Sequence, residues 1–267
     1  MSTRRLVKRI LRRAFSKRLN REQVSESLRR LGVRQGGSVL VHSSFTSLGY
    51  LKGGPEAFIE ILRDVIGPSG TLLFPTHSWH LMNAGNRRFD VRNTPSGVGV
   101  LTEVFRQLPG VIRSHHPTHS VAVSGQNSDW FTEGHLTATT PCGAGTPYEK
   151  LCQAEGQILF LGTTLRSNTT FHTAEALAEA PYLMESSAEE FEIVGEDGAI
   201  KSCRVRMHAQ RIGRRFDSLI EPLEETGILR KGPVGQSASL LVDAGPMVAW
   251  TVSRLRENPS FLLRSSH

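Results

Sequence analysis

The chain has 267 residues, enough for one large domain or two small ones. A hydrophobic share of 38%, with 12 Phe and 3 Trp against 21% charged residues, excludes a disordered chain and indicates a real core. The formal net charge of +7 has the sign of a nucleic-acid binder until it is located. Residues 1–21 hold nine basic side chains and no acidic one, so the remaining body is close to neutral.

That N-terminal extension, 1–21, has a helical rhythm. Leu6, Val7, Ile10, Leu11 and Phe15 recur at spacings near three and four, with cations between them. Such a segment can be a solvated helix or lie peripherally on an anionic membrane surface. Lys8 and Arg9 interrupt what a secretory signal would need as its apolar core, and no apolar run reaches membrane-spanning length. The rest, 22–267, reads as a single domain. Residues 22–31 form a short amphipathic helix closed by Gly32, and 38–42 a buried strand. A polar turn from Ser43 to Gly49 leads through Gly53-Gly54-Pro55 into a helix over 56–66, with proline just inside its start and Gly67 after its end. A second apolar strand at 71–75 completes a βαβ unit, which predicts a partly parallel sheet under helical cover.

Residues 77–97 read as a polar loop and 99–108 as a helix. Further buried strands fall at 121–124 and 157–161. The latter passes through Gly162 to a helix that begins near Asn168 or Thr169, either a suitable N-cap, and ends before Pro181. His172 and Glu175 share one face of its first turn. The helix's positive end disfavours imidazolium and the carboxylate favours it, so His172 is a candidate general base. The carboxyl end of a strand entering a helix is where ligands sit in open α/β sheets. Alternation over 190–206 around Gly195 and Gly198 predicts a hairpin, and 246–255 a last helix. The predicted fold is a layered α/β/α arrangement with a central mixed, partly parallel sheet and an antiparallel excursion near 190–206.

Several signatures are missing. No Walker-type loop, complete dinucleotide fingerprint or Gly-x-Ser-x-Gly elbow occurs. Cys142, Cys152 and Cys203 are widely spaced, so neither a disulfide framework nor a zinc ribbon is expected, and a reducing cytoplasm is the economical location. His77, His80, His115, His116 and His119 lack the spacing of a standard zinc site, and no metal is expected. The 113–120 loop, with Arg113, His116 and Ser120, is better read as an anion-handling loop, as is the turn bearing Ser43, Ser44 and Ser47. Two such loops near a His/Glu pair point to a phosphate-bearing cosubstrate. The neutral body, without interleaved aromatic and basic residues, argues against nucleic acid.

These residues carry a family likeness. Val41-His42-Ser43-Ser44-Phe45-Thr46-Ser47-Leu48-Gly49, then Gly53-Gly54 and Gly70 to Thr76, resembles the opening of the aminoglycoside 3-N-acetyltransferase family. Arg113-Ser114-x-His116-Pro117-x-x-Ser120 is similar to its second signature, Leu161-Gly162 through Glu175 to its third, and Gly227 to Gly235 to its C-terminal element. The likeness covers about 25–258 and leaves the basic arm outside. It implies an acetyl-CoA-dependent N-acetyltransferase acting on the amine of an amino sugar or related small molecule. It further implies that His172 and Glu175 are catalytic, that His42, Ser43, Ser44, Ser47, Gly49, Arg113, His116 and Ser120 contact CoA, and that Thr76, Arg166, Asn168 and Asp217 meet the acceptor. Amide hydrogens near Gly162–Thr164 or at the helix start are candidate donors to the oxyanion. Members acting on aminoglycosides carry a His-Asp pair where this chain has Leu165-Arg166, and an arginine there repels a polycation. An acceptor bearing phosphate, nucleotide or carboxylate is expected instead. Acyl transfer to a hydroxyl and thioester hydrolysis are the alternative chemistries. A membrane or nucleic-acid binding module acting through the arm is the alternative of a different class.

Overall fold

The computed structural model describes residues 18–209 and 212–264, so most of the basic arm lies outside the described residues. The strands are β1 (Arg18–Leu19), β2 (Ser38–Ser43), β3 (Tyr50–Leu51), β4 (Thr71–Pro75), β5 (Arg88–Asp90) and β6 (Ile112–Arg113). They continue with β7 (Val121–Gly125), β8 (Gln157–Leu161), β9 (Met184–Val194), β10 (Ile200–His208), β11 (Leu229–Val234) and β12 (Ser237–Asp243). Seven form the central sheet, in the order β11-β12-β8-β2-β4-β7-β6. Its middle, β8-β2-β4, is parallel, and the pairs toward both edges are antiparallel.

The central strands are near-continuous apolar runs because helices cover both faces. Alternate residues serve alternate layers. Val39, Val41, Leu72, Phe74, Leu159 and Leu161 pack with the Arg21–Leu31, Gly54–Ile66 and Val100–Phe105 helices. Leu40, Leu73, Ile158 and Phe160 pack with the Pro147–Gln153, Phe171–Leu177 and Ala244–Glu257 helices. The predicted three-layer mixed sheet is therefore the observed one. No helix among the described residues is long and apolar enough to cross a membrane.

The boundary of the arm moves. Leu19 is buried, β1 pairs in parallel with β3, and Arg21 opens the first helix after an Asn20 N-cap that forms a capping box with Gln23. Residues 18–21 thus belong to the body, and Arg21 forms ion pairs with Glu60 and Asp64. The excursion is longer than predicted: β9 and β10 span 184–208, and β5 joins β9 in parallel to make a separate three-stranded sheet. β5 and the short Trp79–Asn83 helix lie in the segment read as loop. Three residues with one buried Phe89 carry no readable period. The β11–β12 hairpin has no clear sequence signal, because Gly232 and Pro233 break its first strand, which an edge position tolerates.

β8 leaves the sheet at Gly162, whose φ is +62°. A Cβ there would lie 1.7 Å from Ser47 Oγ and 2.7 Å from Ser237 Oγ. Gly162→Ala is expected to destabilise the fold by about 3 kcal/mol, combining left-handed strain with overpacking. Chemical denaturation of the variant against the parent chain measures this.

Candidate active site

His172 and Glu175 lie in the Phe171–Leu177 helix, on the face predicted for them. His172 Nδ1 is 2.5 Å from Glu175 Oε2. The carboxylate only accepts, so Nδ1 carries the hydrogen, and in the neutral ring Nε2 is the nitrogen with a lone pair for a substrate. Glu175 is completely buried, and its other oxygen accepts a 2.8 Å hydrogen bond from Arg214 Nε. Burial pushes the Glu175 carboxyl up, but His172 and then Arg214 more than reverse this, and the net shift is down. The carboxylate therefore stays charged while it orients the ring. Sequence reading misses Arg214, because nothing in the spacing of 214 and 175 links them.

The helix begins one or two residues later than expected. Thr170 is the N-cap and makes no side-chain cap, whereas Asn168 Oδ1 accepts from Thr170 N at 3.1 Å. Seven residues replace the longer predicted helix, and Leu177 ends it. Asn168 Nδ2 points to Met247 Sδ at 3.1 Å, so this side chain shapes the turn before His172.

Two cavities meet at His172. The larger, of 680 Å³, is bordered by His42 and Ser43 at the end of β2, by Thr163, Arg166 and Asn168 after β8, and by His119 and His208. The second, of 560 Å³, is bordered by Arg166, Arg214, Arg215, Arg264 and Asp217. Arg166, His172, Ile212, Arg214 and Phe216 belong to both walls. The site thus sits where the parallel strands end, as open α/β sheets require. Asp217 Oδ1 accepts the Arg166 backbone N–H at 2.8 Å, so it holds the arginine's turn in place.

His42 Nε2 and Ser43 Oγ are shielded from solvent and have no hydrogen-bond partner, and both residues line the larger cavity. His42 stacks on Phe160 with ring centroids 5.1 Å apart. Two polar atoms left bare at a cavity wall are suited to a ligand's carbonyl or amide. The rest of the turn differs from expectation. Ser44 is exposed outside the cavity lining. Ser47 Oγ is engaged by Ser44 O at 2.7 Å and Ser237 Oγ at 2.8 Å, and Gly49 supplies a left-handed turn at φ +104°. Ser47 and Gly49 therefore build the turn and do not reach the cavity. The Gly162 amide is also engaged, by Ala238 O, which removes it as an oxyanion donor.

The 113–120 loop is corrected more strongly. Arg113 is buried, and its guanidinium donates to Thr76 Oγ1 and O, Ser120 Oγ, Val91 O and Thr94 O, over the Phe89 ring. Burial lowers it to about 9. These bonds occupy four of its five N–H donors, and the guanidinium does not line the larger cavity where a CoA phosphate could reach it. Ser120 and Thr76, fully buried, are partners of Arg113 and do not line the larger cavity. His116 is buried too: its Nδ1 accepts the His119 amide at 3.1 Å and its ring stacks on His135 at 4.7 Å. The loop is a structural clamp behind the cavity. Arginine, serine and histidine look alike in sequence whether they face a ligand or staple carbonyls.

Histidines gather behind this wall, but not the set read from the sequence. His115 pairs with Glu196 on the surface. His77, His116, His119, His135 and His208 are linked by ring contacts, and His208 reaches His172 at 4.6 Å between centroids. His135 donates Nε2–H to Pro141 O and accepts from Ser114 Oγ. His77 Nε2 bonds Tyr148 Oη at 2.7 Å, and that hydroxyl donates to His119 O. Burial lowers His42 to about 3 and His135 to about 4, and holds His77 and His116 well below their ordinary value.

A family model described as Aminoglycoside 3-N-acetyltransferase matches residues 40–256. The chain belongs to the aminoglycoside 3-N-acetyltransferase family. It is 33% identical to aminoglycoside N(3)-acetyltransferase IV of Salmonella sp over 87% of this chain and 86% of that protein. The type IX enzyme of Micromonospora chalcea is 29% identical, with 89% and 95% covered. Among solved structures, the apoenzyme of type IVa aminoglycoside acetyltransferase superposes with a TM-score of 0.81 at 30% identity, covering 94% of this chain and 93% of that one. A histidine-to-alanine variant of that enzyme has been solved in complex with a gentamicin. The type IIIb enzyme, solved as a binary complex with CoASH, gives a TM-score of 0.78 at 26% identity, with 94% and 100% covered. As a member of the family the chain is an acyltransferase that transfers acetyl groups to nitrogen.

Two outcomes follow from the buried groups. Arg113→Ala strips hydrogen bonds from the carbonyl and hydroxyl groups of four residues and is expected to cost about 3 kcal/mol or more of stability. Arg113→Lys fails to restore it, lacking the planar fork; thermal unfolding of both variants is the measurement. The neutral histidines set an acid limit. Unfolded, each titrates near 6.5; folded, His42, His77, His116 and His135 refuse protons until lower pH. Their contribution is intact above 6.5 and is lost as pH falls toward the lowered values, each by about 1.4 kcal/mol per pH unit. Unfolding followed by circular dichroism should set in near about pH 5, above the range in which ordinary carboxylates protonate.

Proposed function

We propose that this chain transfers the acetyl group of acetyl-CoA to the amine of an amino sugar or related small molecule that also carries an anion, with His172 as general base. The carrying observation is the His172 ring between two cavities, with Nδ1 held by a buried carboxylate. Acetyl-CoA supplies the activated thioester. His172 Nε2 takes the proton released as the uncharged amine nitrogen bonds to the thioester carbonyl carbon. It returns that proton to the sulfur as the carbon–sulfur bond breaks, so an amide and a free thiol leave and the ring is neutral again. Glu175 stabilises the transient imidazolium, and Arg214 keeps Glu175 ionised at rest.

In this reading the larger cavity takes the thioester end of the cosubstrate against His42 and Ser43, whose bare Nε2 and Oγ fit a carbonyl or amide. Ser44, exposed beside them, meets a more distal part of CoA. The second cavity takes the acceptor. Four arginines and one aspartate border it, and that aspartate already accepts a backbone hydrogen bond. Such a wall repels a polycationic antibiotic and attracts phosphate or carboxylate. Peripheral membrane contact through the basic arm is a separate part of the proposal. Removing residues 1–17 should leave turnover intact and abolish cosedimentation with anionic vesicles.

His172→Ala is expected to lower kcat by about 10²–10⁴. Glu175→Gln should cost less, and neither should shift the KM for acetyl-CoA appreciably. Steady-state kinetics comparing a kanamycin-type amine with a nucleotide-linked amino sugar tests the acceptor. The anionic acceptor should have the higher kcat/KM, and Arg166→Ala should raise its KM. Preference for the polycation would overturn the acceptor assignment. If Arg166→Ala raised the KM of acetyl-CoA instead, the arginine cavity would hold the cosubstrate's phosphates. Product masses with amine and alcohol acceptors separate amide formation from ester formation and hydrolysis.

A further inference from the structure

We propose that His119, Cys142 and His208 bind a transition-metal ion, zinc being the best match, in the wall of the larger cavity beside His172. The three residues come from distant parts of the chain: the 113–120 clamp loop, the segment before the Pro147–Gln153 helix, and the end of β10. One nitrogen from each imidazole and the Cys142 sulfur all lie within 4.8 Å of one another. Zinc bonds of about 2.0–2.3 Å place tetrahedral ligand atoms about 3.3–3.8 Å apart, so closure needs each side chain to move by about an ångström or less.

Three further observations point to a ligand. Both ring nitrogens of His208 are shielded from solvent and have no hydrogen-bond partner. Although the residue is only half-buried, two ring nitrogens cut off from water without partners lose their hydrogen bonds for nothing, and native proteins rarely tolerate this. Second, Thr118 Oγ1 lies 2.8 Å from His119 Nδ1, which engages that nitrogen and leaves Nε2 as the one to bind an ion. Zinc-bound histidines are typically fixed through their other nitrogen in this way. Third, Cys142 is completely buried, so its sulfur is shielded from oxidants and reaches only groups packed around it.

The donor set selects the metal. One thiolate and two imidazoles suit zinc, cobalt and copper and exclude magnesium and calcium, which take oxygen. Three protein ligands leave a fourth position, and His119 and His208 border the larger cavity, so that position opens toward it. His208 also contacts the His172 ring, which puts the metal in the same wall as the proposed base. Binding releases the thiol proton to solvent and forms one metal–sulfur and two metal–nitrogen bonds, with no redox change. The ion ties the clamp loop, the 142 segment and β10 to one point.

Metal analysis of the full chain, dialysed against zinc and then against metal-free buffer, tests this. The parent chain should retain close to one zinc per chain, and zinc should raise its thermal midpoint. Cobalt should replace it and give a thiolate-to-cobalt charge-transfer band. Cys142→Ser should lose that band, and Cys142→Ser and His208→Gln should each bind zinc at least about tenfold more weakly. Circular dichroism of the metal-free proteins establishes that the variants are folded. Should Cys142→Ser not fold, His208→Gln and chelator-treated parent chain provide the same comparison. A parent chain that retains no zinc and gives no cobalt band overturns the proposal. So does retention by both variants at the parent's affinity, which would place the ion elsewhere on the surface.

Discussion

A charged carboxylate with no access to water sits at the centre of this protein. Glu175 is useful only because His172 and Arg214 occupy its two oxygens. Burial alone would neutralise it, and a neutral carboxyl could no longer stabilise an imidazolium. The arrangement orients one imidazole, fixes its tautomer and presents a basic nitrogen to two cavities at once. Removing either partner would leave a buried carboxylate oxygen without its hydrogen bond, so the surrounding packing depends on the same contacts as the chemistry.

Around that point the fold places polar groups at three depths. At the cavity surface are His42, Ser43 and Arg166, with atoms that a bound molecule can reach. Behind them lies a layer of uncharged histidines that bond to backbone and hydroxyl groups and contact each other through their rings. Deeper still, Arg113 joins Thr76, just after β4, to the 91–94 segment through carbonyl oxygens and to Ser120, just before β7, through its hydroxyl, without any acidic partner. A guanidinium satisfied only by neutral acceptors is held by geometry more than by charge, which is why it serves as a clamp. These layers share loops, so the same 113–120 segment contributes both to the clamp and to the cluster formed by His119, Cys142 and His208.

Much of the architecture was legible. The apolar runs at 38–42, 71–75 and 157–161 needed burial on both faces, and the intervening Gly-Pro and Gly signals marked where helices start and stop. The His172–Glu175 pair was equally legible, because three residues on a helix place two side chains together whatever the rest of the chain does. Elements supported by tertiary contacts escaped notice: β5, β6, β11 and the two-residue pairing of β1 with β3. Each is too short, or too interrupted by Gly and Pro, to carry a period of its own.

The division at the site has the same origin. Local spacing was enough to propose a base with its carboxylate and the strand end that leads to them, and the resemblance of several motifs added the family. It was not enough to say which polar side chains face outward. Arg113, His116, Ser120 and Thr76 read as ligand contacts and lie as internal braces, whereas Arg214 and His208 gave no signal and stand beside Glu175 and His172. A hydrogen-bonding group has the same composition whether it meets a substrate or a backbone carbonyl. Only the folded path of distant segments determines which of the two lies within its reach.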